Sequence, residues 1–146
     1  ELKDVSPVAL GDGPLWIKGN PTESMFSVYS SSPIGILGAM VRTTDVEGIL
    51  QLNCNVTDFY AERPYPTYLY YNPHKETKTI SFGTTETVDL FDIVNKQYVA
   101  KNVKDKAEIE MPGDDARSIV VLPTGTKLTV DGKKIIADGK YTIAYK

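Results

Sequence analysis

The sequence predicts an all-β protein, a mainly antiparallel β-sandwich of about ten short strands with C-terminal hairpins. Three observations carry that prediction. Short β-favouring runs recur at near-regular spacing with turn residues between them, as a sandwich requires. Two Asp-Gly-Lys steps, residues 131–133 and 138–140, each lie between β-type runs and signal hairpins. No segment carries a helical apolar stripe of useful length.

Residues 1–13 form a mixed leader, residues 15–18 a short strand with the single tryptophan, Trp16, and Gly19, Asn20 and Pro21 a turn. Residues 25–30 alternate, Phe26 and Val28 against Ser27, which predicts a half-buried strand. Residues 34–44 are apolar but interrupted by Gly35 and Gly38, the pattern of a bulged or closely approached strand rather than a helix. Residues 49–59 alternate most clearly in this half. Leu50, Leu52, Cys54 and Val56 are expected to face inward, and Gln51, Asn53, Asn55 and Thr57 outward.

Residues 65–73, YPTYLYYNP, read as the central strand, with four tyrosines in a β-favouring run closed by an Asn-Pro turn signal. Tyr68 and Tyr70 share one face and Leu69 and Tyr71 the other, so at least one pair is buried. Strands follow at 77–82, 87–94, 97–101, 106–111, 117–122 and 127–130, the last opening a three-stranded meander over 127–145. Residues 89–96 also admit a helical turn, with Leu90, Ile93 and Val94 on one face. In 106–111 the split is sharp: Ala107, Ile109 and Met111 inward, Lys106, Glu108 and Glu110 outward. One wet face implies an antiparallel sheet. The expected organisation is one compact domain, in which residues 1–64 add a layer of N-terminal strands to a core sandwich half and meander at 65–146.

The 146 residues suffice for a sizeable core, and 41% hydrophobic with 24% charged residues is ordinary for a globular protein. No apolar run reaches the length of a membrane span, so membrane insertion is not expected. A net charge of −3 with scattered Lys and Arg gives no basic stripe, which argues against nucleic acid as a partner. Cys54 is the only cysteine, which excludes an internal disulfide and a Cys-based metal cluster; it reads as a buried small hydrophobe. The chain opens at Glu1 with neither an initiator Met nor an apolar signal segment, and reads as a fragment of a longer protein.

Catalytic signals are sparse. The only histidine, His74, sits in a turn beside no nucleophile motif, and Gly35 and Gly38 lack the spacing of a phosphate loop. Asp45, Glu47, Asp58, Glu62, Asp89 and Asp92 are the carboxylates from which a glycosidase pair would be drawn. Asp114, Asp115 and Asp131 read as turn formers rather than calcium ligands, and no metal or other cofactor is expected. Asn55-Val56-Thr57 matches a glycosylation acceptor but lies inside a predicted strand. The candidate carbohydrate-binding residues are Tyr60, Arg63, Tyr65, Tyr68 and Trp16, whose aromatic faces would cover sugar rings while the charged group binds hydroxyls. A packed role for the same tyrosines competes with that platform.

The succession YLYYNP (68–73), VDLFDIVNKQYVAKNV (88–103) and IEMPGDDARSIVVLP (109–123) resembles the C-terminal β-sandwich domains attached to glycoside-hydrolase-type proteins of polysaccharide-degrading bacteria. After Pro112, where that pattern leads one to expect alanine, this chain has Gly113 and then Asp114 and Asp115. The resemblance implies a non-catalytic accessory domain that packs on the catalytic domain of a parent protein and touches polysaccharide. It also implies a periplasmic, cell-surface or secreted location, and it carries over no catalytic residue. Two readings from other classes stay open: a free-standing carbohydrate-binding module using Tyr60, Tyr65, Tyr68 and Trp16, and a small glycosidase or lyase.

Overall fold

The computed structural model describes residues 35–56 and 65–145. The backbone divides into two compact units, Glu1–Met40 and Val41–Lys146. Of the first unit, residues 35–40 are described and form a helical turn. This corrects the first part of the strand expected across residues 34–44, of which 41–43 is a strand. No atom approaches within 4 Å of a Cβ built on Gly35 or Gly38, and Ile36 and Leu37 are exposed. Among the described residues nothing makes the close approach that would have used those glycines, and a helical turn satisfies backbone groups within itself.

Among its described residues the second unit carries eleven strands: β1 (Val41–Thr43), β2 (Leu50–Asn53), β3 (Thr67–Asn72), β4 (Lys78–Gly83), β5 (Val88–Asp92), β6 (Gln97–Val103), β7 (Lys106–Met111), β8 (Asp115–Pro123), β9 (Leu128–Asp131), β10 (Lys134–Ala137) and β11 (Tyr141–Tyr145). They form a six-stranded sheet in the order β1-β2-β3-β8-β5-β6, a three-stranded sheet β11-β10-β9 and a two-stranded sheet β4-β7, and every pairing is antiparallel. The all-β antiparallel sandwich read from the sequence is the observed class.

Alternation along β8 explains the layering. Ile119 and Val121 join Ile80, Phe82, Ile109 and Met111 of β4 and β7 in one core. Val120 and Leu122 point the other way and join Ile135, Ala137 and Ala144 of the meander in a second core. The central sheet is therefore covered on both faces at β5 and β8. All of β5 is buried, its two aspartates included, and residues 119–122 of β8 are buried on both faces, which is why SIVVLP reads as a continuous apolar run instead of an alternating one. The two-stranded layer keeps a wet face, and β7 buries Ile109 and Met111 while Glu108 and Glu110 stay outside.

The meander forms as the Asp-Gly steps predict. Gly132 occupies the first position of the two-residue β9–β10 turn with a φ of 57°, the left-handed region a side chain resists. Residues 93–96 make a turn between β5 and β6, not the helical alternative.

Pairing with β3 reverses the expected facing of β2. Gln51 lies opposite Tyr70 and Leu50 opposite Tyr71. Gln51 Nε2 donates to Tyr70 Oη at 2.7 Å, on the core side, while Leu50 is exposed. A shift of one residue in a period of two exchanges the faces, and the polar partner waiting on Tyr70 makes this register favourable. β2 ends at Asn53, so Cys54 is half-buried in the following turn, with Sγ 3.7 Å from the Leu52 carbonyl, rather than in the core.

The Asn-Pro signal after β3 marks a polar clasp. Asn72 is fully buried, and its Nδ2 donates to the carbonyls of Glu76, Met111 and Pro112 at 2.9–3.0 Å while its Oδ1 accepts from His74 N. Asp114 N donates to the His74 carbonyl at 2.8 Å, completing the tie between the β3–β4 and β7–β8 turns. A Cβ on Gly113 would stand 2.1 Å from the Lys75 carbonyl oxygen. That contact explains why glycine replaces the expected alanine.

Candidate functional site

Tyr65 and Tyr68 are brought together on one groove of about 830 Å³, whose lining includes Phe82, Thr85, Glu86 and Asp105. It opens between the start of β3 and the β4–β5 and β6–β7 turns. Trp16, Tyr60 and Arg63 lie outside the described residues. Tyr65 sets its ring edge-on to Tyr141, with centroids 5.8 Å apart at 83°, and its hydroxyl donates to Asp138 Oδ2 at 3.2 Å. Burial, and then the Asp138 carboxylate, push the Tyr65 phenol above its ordinary range. Tyr68 tilts against Phe82 at 6.1 Å and 55°. Both tyrosines are half-buried and each gives part of its ring to an aromatic neighbour.

Glu86 and Asp105, which no motif in the sequence marks, stand at the groove's rim. Among the described residues their carboxylates have no hydrogen-bond partner, and neither has the Tyr68 hydroxyl. Acids in turns are ordinary turn formers, so the sequence gives no local signal for them; only the closure of β4 and β6 toward β3 assembles the rim.

The carboxylates that a glycosidase would draw on are used otherwise. Asp92, fully buried, accepts from Val94 N, Asn95 N and Asn95 Nδ2 and pairs with Arg117 Nη1 at 2.7 Å. Asp89, also buried, accepts from Asn102 N at 2.8 Å and from Thr124 and Gly125 at 3.4 and 3.5 Å. Asp45 is exposed and accepts from Ser81 N at 2.9 Å; hydrogen bonds from the Ser81 side chain and backbone hold its carboxyl below the usual range. Glu47 is exposed, and Asp58 and Glu62 lie outside the described residues.

His74 places Nε2 2.8 Å from the Glu47 carbonyl, so that nitrogen carries the hydrogen and ties two turns together. Among the described residues no three His, Cys, Asp or Glu side chains form a metal-binding group. Tyr71 donates to Asp114 at 2.5 Å, which raises the Tyr71 phenol. Asn55 uses both ends of its amide, donating to the Tyr65 carbonyl at 3.3 Å and accepting from Thr67 N at 2.7 Å, so a glycan there would break the join between β2 and β3.

A second feature is an apolar strip. On the face of the central sheet that the meander covers further along, Leu50 pairs with Tyr71 and Leu52 with Leu69. Leu50, Leu69 and Tyr71 are 41%, 36% and 47% exposed. Val94, Val130 and Tyr145 are also exposed but belong to separate elements, as single surface hydrophobes commonly do.

No family model matches this chain, and no curated protein matches it. Among solved structures, a "putative alpha-N-acetylgalactosaminidase" from Bacillus halodurans C-125 is similar at 15% identity with a TM-score of 0.40; the match covers 64% of this chain and 24% of that one. This distant neighbour bears a glycoside-hydrolase name. The matched part spans about a quarter of the neighbour's length, and a likeness of that degree transfers no activity.

Proposed function

We propose that this chain is a non-catalytic accessory β-sandwich domain of a carbohydrate-active protein, which packs on a catalytic domain through the outer face of β2 and β3. The observation that carries the reading is the strip of exposed Leu50, Leu69 and Tyr71, with the half-buried Leu52 among them, where an otherwise layered sheet leaves apolar side chains in water. The order of motifs that resembles accessory domains of glycoside-hydrolase-type proteins names the class of partner. Tyr65 and Tyr68, turned against Tyr141 and Phe82, favour packing over an exposed coplanar row. The placement of Asp89 and Asp92 in structural hydrogen bonds favours a non-catalytic role.

A reducing-sugar assay of the isolated chain on soluble polysaccharides tests the non-catalytic part. The reading expects no release of reducing ends. Release that Asp45, Glu86 or Asp105 to amide variants abolish would make the chain a glycosidase instead.

A further inference from the structure

The groove beside Tyr68 combines three features that do not occur together elsewhere among the described residues. Its walls are apolar, with Phe82, Val88 and Val121 beside the half-buried Tyr68 ring. Among the described residues the Tyr68 hydroxyl has no hydrogen-bond partner, and its half-buried ring lines the groove. Its rim presents Glu86 and Asp105, whose carboxylates also lack hydrogen-bond partners among the described residues. We infer that the groove holds a neutral sugar ring, with the ring's C–H face on Tyr68 and Phe82 and its hydroxyls donating to Glu86 and Asp105.

The chemistry selects that class. Ionised carboxylates only accept hydrogen bonds, so the ligand must bring donors, and the apolar walls require an apolar surface within reach of those donors. A pyranose ring offers both. Lys104 lines the rim beside Glu86 and Asp105, so a cation already offsets part of the acidic charge there, and a neutral polyol suits it better than an anion. A volume of about 830 Å³ lies in the range of small-ligand sites and admits one or two sugar rings.

This site differs from a platform built on Tyr60, Arg63 and Trp16, because its polar contacts come from the β4–β5 and β6–β7 turns. The inference deepens the accessory reading, from which it takes only the nearness of polysaccharide.

The test is an amide NMR titration of the isotope-labelled 146-residue chain. The probes are methyl glycosides of neutral hexoses, with glucosamine and glucuronate as charged comparisons. Saturable shifts at Thr85, Glu86 and Asp105 with a neutral glycoside are expected. The Glu86→Gln/Asp105→Asn variant should weaken binding by about tenfold or more, and Tyr68→Phe by less. These variants preserve the fold: Glu86 is exposed, and asparagine tolerates the positive φ of 62° at Asp105. No saturable shift with any neutral glycoside, shifts indifferent to these variants, or binding of glucosamine alone would each overturn the inference. None of those outcomes bears on the docking face of β2 and β3. Release of reducing sugar would instead overturn the accessory reading and leave the groove in place.

Discussion

Arg117 Nη1 donates to Asp92 Oδ2 across 2.7 Å, with the Asp92 side chain fully buried and Arg117 only 13% exposed. Arg117 Nε also donates to the Glu110 carbonyl at 2.8 Å, so one side chain fastens β8 to both the β5–β6 turn and β7. This acid is structural. Its other hydrogen bonds cap the turn at Val94 and Asn95.

Arg117→Met should destabilise the chain by about 3 kcal/mol, because it strands a buried carboxylate. Adding Asp92→Asn should recover part of that loss, since the amide still accepts from the turn while no charge remains. Urea midpoints of the two single variants and the double variant form the cycle. Equal losses that simply add would show that the pair is not coupled.

Gly113 is needed for space, not for φ. Gly113→Ala should cost about 2–3 kcal/mol, as its Cβ would press on the Lys75 carbonyl. Gly125→Ala meets nothing within 4 Å but must hold a φ of 88°, and should cost about 1 kcal/mol. Thermal melts of both variants check the order.

Tyr70 predicts an alkaline transition. Burial pushes its phenol from 10.0 up to about 12, against the opposing hydrogen bond from Gln51. A pKa raised on folding stabilises the chain fully below the unfolded value and loses that contribution as pH rises. The unfolding midpoint should therefore fall between pH 10 and 12. Tyr70→Phe should flatten that fall while costing about 1 kcal/mol at neutral pH, where Gln51 loses its acceptor.

At the acid end the corresponding group is Asp45. Its carboxylate accepts from Ser81 N on the edge of β4 that faces away from β7, which blunts an open strand edge. A carboxyl lowered on folding contributes stability above its unfolded pKa of 3.8 and loses it as pH falls below that value. Asp45→Ala should speed hydrogen exchange at the Ser81 amide and remove this acid dependence. Exchange unchanged at Ser81 would mean that the contact does not persist in solution.

Particular residues mark how far the sequence was legible. The Asp-Gly steps announced the meander, and the run at residues 106–111 announced its own wet face, because turn chemistry and alternation are local. The facing of β2 was not local: Gln51 points inward because Tyr70 stands opposite it, and nothing within residues 49–59 encodes that register. The same limit hid the groove. Tyr65 and Tyr68 were visible as a cluster of aromatics, but Glu86 and Asp105 lie 18 and 37 residues beyond Tyr68 and reach it only through the closure of two turns. Helix at residues 35–40 was misread because glycines in an apolar run suit a bulged strand only if something approaches them.

The central claim is that β2 and β3 form a docking face for a catalytic domain. The direct measurement is a calorimetric titration with the catalytic domain that the proposed function expects in a parent protein, using the unaltered chain and Leu50→Lys/Leu69→Lys. Saturable binding by the unaltered chain and its loss in the variant are expected, with the variant's melting temperature little changed because both leucines are exposed. Equal binding by the two proteins, or none by the unaltered chain, would contradict it.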